Sequence, residues 1–413
     1  MEMYIQGRTR LKGEVEISTS KNAILPIIAA TVLTDEKVVL KRVPRIKDVD
    51  TICQILQQLG KEIQVKEDYL VFNSRVLQTT PPYDLVRQMR ASFLLMGALL
   101  SRCGKVRVSL PGGCAIGNRP IDLHLKGFAA MGAEIKFNGG DVIAKANKLM
   151  GNHIYLDFPS VGATENIMMA ASLADGTTWI ENAALEPEIV DLANFINMMG
   201  GHVSGAGTNV IKIQGVELLS GTEYTPIPDR IEAGTYLIAV AATAGEAVIK
   251  NVIPEHLKSI TAKLEESGAV IEESNYAIQI KREGKIKPVY IKTLPYPGFP
   301  TDMQAQIMAY LSFANGTSVI SESVFENRFM HVQELLRMGA DIRTEGKSAI
   351  IRGVKELTGA RVRASDLRAG AALIIAGLSA QGKTIVTENE HVERGYEDID
   401  KKLKQMGAQI YLN

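Results

Sequence analysis

Three cysteines in 413 residues, Cys53, Cys103 and Cys114, are too few for a disulfide framework, and no two have CxxC spacing. The six histidines are scattered without ligand-like pairing, so no metal site is expected. Net charge is missing too: 46 Lys plus Arg balance 46 Asp plus Glu, which argues against a general nucleic-acid binder while leaving room for a locally basic cleft. Long apolar runs are absent. The greasiest stretches, 91–100 and 369–378, are too short to span a bilayer. Residues 1–20 lack an apolar signal core. These absences together lead to the expectation of a soluble, cytoplasmic protein with no membrane partner.

What the chain does have is apolar mass and periodicity. At 46% hydrophobic over 413 residues it can bury two or more cores. Helix-like segments ending in glycine recur: QLGKEI at Gly60, MGAEI at Gly132, MGGHV at Gly200, SGAVI at Gly268, MGADI at Gly339 and MGAQI at Gly407. Successive glycines lie 72, 68, 68, 71 and 68 residues apart, which is an internal repeat. Each glycine follows an amphipathic helix, such as Val49, Ile52, Leu56 and Leu59, and occupies the place of a left-handed C-cap. A small turn before a β-rich run marks five of the units, at Gly104, Gly176, Gly245, Gly316 and Gly382; the first has Asp35-Glu36-Lys37 instead. Each unit reads as strand, helix, strand, helix, strand, with the first helix the more apolar. Six such units divide into two globules of three, with the chain crossing near Ser20-Lys21 and Pro228-Asp229.

Polarity is out of place at the starts of those apolar helices. They carry Lys21-Asn22, Arg90, Ser160-Val161-Gly162, Asp229-Arg230, Thr301-Asp302 and Asp366-Leu367-Arg368. Ordinary capping accounts for Ser160, Thr301 and Asp366. It does not account for Lys21, Arg90 and Arg368, because a cation at a helix N-terminus opposes the helix dipole. A bound anion resolves the conflict, and so does a nearby Asp or Glu. The same alternatives apply to Arg119, Arg328 and Arg394, which read as the starts of the second helices of their units.

The stretch VRVSLPGGCAIGNRPID, residues 106–122, is a half-buried strand, a glycine-rich loop and a helix start. Cys114 at the loop tip, near Lys105, Arg107 and Arg119, has the cationic surroundings that activate a thiol.

The motifs SKNAILP (20–26), MRAS (89–92), LPGGCAIGNRPIDLH (110–124), SVGATENI (160–167), PDRIEAGTY (228–236), FPTDMQAQ (299–306), VFENRFMHV (324–332) and DLRAGAAL (366–373) together resemble the UDP-N-acetylglucosamine 1-carboxyvinyltransferase family of enolpyruvyl transferases. The resemblance runs end to end. It implies an α/β fold, a two-domain inside-out α/β barrel built from six βαβαβ-type repeats, three per domain. One domain would span 21–228 and carry the Cys114 loop. The other would span 229–413 plus 1–20, with the active site in the cleft between them.

By the same resemblance the enolpyruvyl group passes from phosphoenolpyruvate to the 3'-hydroxyl of UDP-N-acetylglucosamine and phosphate is released, the first committed step of peptidoglycan synthesis, with consequences for cell shape and division. Lys21, Arg119, Arg368 and Arg394 would clamp the phosphoenolpyruvate anion. Cys114 would deliver the proton to its methylene carbon and Asp302 would accept the hydroxyl proton. Asn22, Arg90, Arg119, Pro120, Ile121, Asp122, Leu123, Ser160, Val161, Gly162, Asp302 and Val324 would grip the sugar nucleotide. Some family members have a lysine where this chain has Phe158, which puts one diphosphate contact in question. No cofactor is implied, and the epoxide fosfomycin is expected to alkylate Cys114. Two other readings stay in view. A 3-phosphoshikimate 1-carboxyvinyltransferase would share the fold but not the cysteine loop or the RPIDLH run. A repeat scaffold or DNA clamp would carry basic inner helices, whereas these are apolar.

Overall fold

The buried helices show why the repeats fold as they do. In Arg230–Ala242 every residue is buried, and Lys21–Ala30, Val161–Ala171, Gln304–Leu311 and Leu367–Ser379 are nearly so. A helix apolar on all sides has no solvent face and must be surrounded by other elements. Many strands, by contrast, alternate, as in Val210–Gln214 with its exposed-buried-exposed-buried-exposed pattern, which gives one face to solvent and one to the helices. The result is an α/β architecture with helices inside and sheets outside.

The structure is a computed structural model that describes residues 2–110 and 121–413. Cys114, Arg119 and Pro120 lie outside the described residues. Residues 19–110 and 121–227 form one compact unit; residues 2–18 and 228–413 form the other. Each has its own hydrophobic core. In the first unit Leu95–Cys103 packs against both Lys21–Ala30 and Val161–Ala171. In the second, Arg230–Ala242, Gln304–Leu311 and Leu367–Ser379 all pack against one another.

Among the described residues each unit has three sheets, and one repeat displays the plan. His153–Tyr155 runs parallel to Thr177–Glu181, which pairs antiparallel with Val210–Gln214, itself paired with His202–Ser204. The repeat has one element more than the strand-helix-strand-helix-strand pattern: the second helix is followed by two strands, joined by a short turn into a hairpin. Among the described residues five sheets have four strands and that of Lys105–Ser109 has three. Several strands come from outside their own repeat. Met3–Gln6 completes the sheet of Lys383–Thr387 and Gln409–Leu412, and Lys12–Glu16 runs parallel to Glu246–Lys250. Glu223–Tyr224 runs parallel to Val38–Lys41. The six repeat glycines all have left-handed backbones, with φ from 90° to 102°. At Gly60 its amide donates to the Gln57 carbonyl at 3.0 Å and that of Lys61 to the Leu56 carbonyl at 2.9 Å, closing a Schellman motif.

No helix among the described residues is long and apolar enough to cross a membrane. Among the same residues no group of three or more His, Cys, Asp and Glu could hold a metal ion.

Candidate active site

In the unit of residues 2–18 and 228–413 two helix starts and the loop that carries Arg328 meet around Asp302; Arg328 precedes its helix, Val332–Arg337, rather than starting it. The turn Thr301–Met303 leads into Gln304–Leu311 and places the Asp302 carboxylate between two guanidinium groups. Arg328 Nη2 donates to Oδ1 at 2.8 Å and Arg368 Nη2 to Oδ2 at 2.9 Å. Both arginines are almost fully buried, with side chains 4% and 6% exposed, while Asp302 keeps 26% of its own in reach of solvent. Burial opposes the Arg368 charge, but Asp302 and other neighbours more than restore it, leaving the guanidinium above its ordinary value. Asp366 caps the same helix by accepting from the Arg368 and Ala369 amides at 2.9 and 3.1 Å.

Around this ion pair lies a buried polar layer. Arg368 Nη1 donates to the Tyr396 hydroxyl at 3.2 Å, which also lies 2.9 Å from Thr235 Oγ1. Gln306 Nε2 donates to the Asp302 carbonyl at 2.9 Å and to the Tyr396 hydroxyl at 3.2 Å. Arg328 stacks over Phe325 and Arg368 over Tyr396, at 5.4 and 5.5 Å. Val324, expected as a sugar contact, has its amide held by the buried Glu322 at 2.8 Å. Arg394 ends the turn Asn389–Arg394 rather than starting a helix.

In the unit of residues 19–110 and 121–227, Lys21 begins its helix and pairs with Asp48 at 2.7 Å, with side chains 12% and 5% exposed. Asn22 follows it, half-buried. A second assembly gathers around His124. Asn166 Nδ2 lies 3.0 Å from its Nδ1, the Phe93 ring meets it edge-on at 5.2 Å, and a Cβ on Gly162 would come within 3.3 Å of its Cε1. Burial, with Arg90 adding, pushes His124 down to about 3, so the imidazole is neutral. The Asn166 amide is a donor, which makes Nδ1 the acceptor and puts the ring proton on Nε2. His124 thus draws together the turn that opens at Arg90, the segment Ile121-Asp122-Leu123 and the start Ser160-Val161-Gly162. Ser160 caps its helix, accepting from the Ala163 amide at 3.3 Å. Phe158 is 47% exposed.

Of the expected site residues the structure therefore unites Asp302 with Arg368 in one unit, and Arg90, 121–123 and 160–162 in the other. For Lys21, Arg328 and Arg368 the nearby carboxylate, one of the two explanations for cations at helix starts, is present. Thr301 is not a cap; its hydroxyl donates to Glu322 at 2.9 Å. Sequence reasoning missed Asp48, His124, Asn166, Glu322, Gln306 and Tyr396. His124, Asn166 and Gln306 had a local signal, since they lie within the quoted motifs RPIDLH, SVGATENI and FPTDMQAQ; Asp48, Glu322 and Tyr396 had none.

The model of the EPSP synthase family, 3-phosphoshikimate 1-carboxyvinyltransferase, matches residues 5–403. UDP-N-acetylglucosamine 1-carboxyvinyltransferase 1 of Caldanaerobacter subterraneus subsp. tengcongensis is 56% identical over 401 residues, covering 97% of both chains. UDP-N-acetylglucosamine 1-carboxyvinyltransferase 2 of Carboxydothermus hydrogenoformans is 57% identical over 99% of both. Among solved structures, the enolpyruvyl transferase NikO from Streptomyces tendae superposes with a TM-score of 0.90 at 24% identity, covering 99% of this chain and 98% of that one. EPSP synthase from Acinetobacter baumannii superposes at 0.76 and 16% identity over the full length of both. With helices inside, sheets outside and this degree of identity to named relatives, the chain belongs to the EPSP synthase family and, within it, to the UDP-N-acetylglucosamine 1-carboxyvinyltransferases.

Proposed function

We propose that this chain transfers the enolpyruvyl group of phosphoenolpyruvate to the 3'-hydroxyl of UDP-N-acetylglucosamine, releasing phosphate and opening the route to peptidoglycan. The hydroxyl oxygen bonds to C2 of phosphoenolpyruvate while a proton is delivered to C3, giving a tetrahedral adduct. Loss of a proton from C3 and departure of phosphate restore the double bond. We assign delivery of the first proton to Cys114 and acceptance of the hydroxyl proton to Asp302. Lys21, Arg119, Arg368 and Arg394 are assigned to the phosphoenolpyruvate anion. Asn22, Arg90, 119–123, 160–162, Asp302 and Val324 are assigned to the sugar nucleotide. Both substrates are intracellular metabolites, which supports a cytoplasmic location.

The observation that carries this reading is the Asp302 carboxylate clasped by Arg328 and Arg368. Two guanidiniums compete with a proton for its oxygens. Transfer of Arg368 to an incoming phosphate or carboxylate frees Oδ2 to accept the hydroxyl proton, coupling anion binding to base activation. The choice of acceptor is supported by the names of the relatives at 56% and 57% identity. The test is phosphate release from phosphoenolpyruvate with UDP-N-acetylglucosamine or shikimate 3-phosphate. Release only with shikimate 3-phosphate selects the sister activity, and release with neither leaves a scaffold.

Fosfomycin is proposed to alkylate Cys114. Burial pushes the Cys53 thiol up to about 12 and raises that of Cys103, so neither offers much thiolate at neutral pH. Mass-spectrometric label on Cys53 or Cys103 contradicts this assignment. Cys114→Asp should keep turnover and lose alkylation, since a carboxylic acid donates a proton but attacks epoxides poorly.

A further inference from the structure

Glu322 is the first residue after the strand Thr317–Ser321, and its amide donates to the Lys347 carbonyl at 2.7 Å, so its backbone is fixed by the sheet. Its residue is 1% exposed. Four donors converge on its carboxylate. Oε1 accepts from the Thr293 hydroxyl at 2.8 Å, the Val324 amide at 2.8 Å and the Phe325 amide at 3.1 Å. Oε2 accepts from the Thr301 hydroxyl at 2.9 Å. All four donors are hydroxyls or amides, so this carboxyl group acts as a multiple acceptor of directed bonds.

The two sides of this hub lead to the two sides of one ion pair. Through Oε2 it holds Thr301, the residue before Asp302 in the turn Thr301–Met303. Through Oε1 it holds Val324 and Phe325, and the Phe325 ring supports the guanidinium of Arg328, which donates to Asp302 Oδ1. We infer that Glu322 is a positioning residue for the reaction: it aims the Asp302 carboxylate by fixing both the turn that carries it and the loop beneath its Arg328 partner. This rests on the reading of Asp302 as the group that accepts the hydroxyl proton. A side chain that holds a base in register acts on the chemical step, because small errors of placement cost large factors in rate.

The inference is tested by steady-state kinetics of Thr301→Val, Glu322→Ala, Glu322→Gln, the double variant Thr301→Val/Glu322→Ala and Asp302→Ala, each checked for folding by thermal melting. Thr301→Val removes the tether from Glu322 to the turn that carries Asp302. It should lower kcat about tenfold, with the KM for UDP-N-acetylglucosamine changed less than about twofold. Glu322→Ala removes both tethers. It should lower kcat about a hundredfold and raise that KM, since Val324 is released as well. In Glu322→Gln the amide oxygen can keep the three donors of Oε1 while the NH2 faces Thr301, whose hydroxyl can turn to accept; most of the kcat lost in the alanine variant should return. The double variant should be no slower than Glu322→Ala, because the tether is already gone. Folded Thr301→Val and Glu322→Ala proteins with wild-type kcat, beside a slow Asp302→Ala, overturn the inference alone, as does a double variant slowed by the product of the two single effects. An Asp302→Ala protein with wild-type kcat overturns the reading of Asp302 and this inference with it.

Discussion

One buried polar cluster in each three-repeat unit ties elements together, and the two clusters do so with different chemistry, although the unit of His124 also holds the Lys21–Asp48 ion pair elsewhere. Around Asp302 the ties are charged: a carboxylate between two guanidiniums, with Tyr396, Thr235 and Gln306 behind them. Around His124 they are neutral: Asn166 accepts from the Gly97 amide at 2.6 Å, donates to the Phe93 carbonyl at 2.9 Å and meets the imidazole at 3.0 Å. A charged cluster can exchange one partner for an anionic substrate, since a guanidinium loses little by moving from carboxylate to phosphate. A neutral, fully enclosed network has nothing to trade. It fixes the geometry of the helices, and disturbing it costs stability first. The same repeat thus supports a charged cluster around Asp302 in one unit and a neutral network around His124 in the other.

Breaking the charged side should show in rate. Asp302→Ala is expected to lower kcat by about a hundredfold or more, close to 3 kcal/mol of barrier, while leaving binding of the sugar nucleotide largely intact. An equal loss of binding and rate would make Asp302 a positioning group and remove the reactive half of the contrast.

Breaking the neutral side should show in stability. A Cβ on Gly97 would lie 2.2 Å from the Asn166 carbonyl oxygen and 2.5 Å from its Oδ1, an approach of two helix backbones with no room to give. Gly97→Ala is expected to cost about 3 kcal/mol. In the other unit, a Cβ on Gly234 meets Ile260 Cδ1 at 2.9 Å and Met303 Cε at 3.0 Å, the ends of flexible side chains. Gly234→Ala is therefore expected to cost only about 1 kcal/mol. Denaturant unfolding of the two variants checks the ranking, and equal costs would mean that the frame around Asn166 is no stiffer than its counterpart. The chain's single tryptophan, Trp179, lies in the unit of Gly97 and reports on it.

The repeat was legible because its marks are local. A left-handed C-cap needs glycine, so six of them at a period near seventy residues reveal six helix ends regardless of what those helices touch. Strand pairing was less legible. Met3–Gln6 and Lys12–Glu16 join sheets formed by residues hundreds of positions away, and nothing in their own sequence names the partner. At the site, cations in the wrong place on the helix dipole pointed to Lys21 and Arg368, since the anomaly lies within one turn. Their partners Asp48 and Asp302 belong to other helices. Glu322 and Tyr396 read as ordinary residues until folding buries them with their donors and acceptors, and Asn166 shows only as one letter of the SVGATENI motif.

The neutral network also sets a dependence on pH. Folding pushes His124 down to about 3, below the ordinary histidine value of 6.5 that the unfolded chain retains. Its contribution is therefore complete above pH 6.5 and is lost as the pH falls toward 3, because the unfolded state gains a proton that the folded state refuses. His331 in the other unit is pushed down to about 4 by burial, Arg328 adding, and behaves alike. At pH 5 each should have cost about 2 kcal/mol relative to pH 7.5. Urea unfolding followed at Trp179 isolates the His124 part. His124→Gln, whose amide oxygen can still accept from Asn166, should flatten the acid limb by about one proton, and a variant as acid-sensitive as the wild type would show that the network does not depend on a neutral imidazole.

The smallest expected effect separates capping from binding at helix starts in the two units. Asp366 accepts two amide bonds, at 2.9 and 3.1 Å, and its charge complements the helix dipole, so Asp366→Ala is expected to cost about 1–2 kcal/mol of stability. Ser160 accepts one long bond of 3.3 Å, and Ser160→Ala should cost only about 0.5 kcal/mol. A cap alone explains that loss and nothing more. If Ser160 also grips the sugar nucleotide, the KM for UDP-N-acetylglucosamine rises by more than the stability change accounts for, with kcat little altered, because an interaction made equally in the ground and transition states moves KM only. An unchanged KM in Ser160→Ala reduces this residue to its cap and shifts the grip on the sugar toward Arg90 and Ile121-Asp122-Leu123, beside the neutral imidazole of His124.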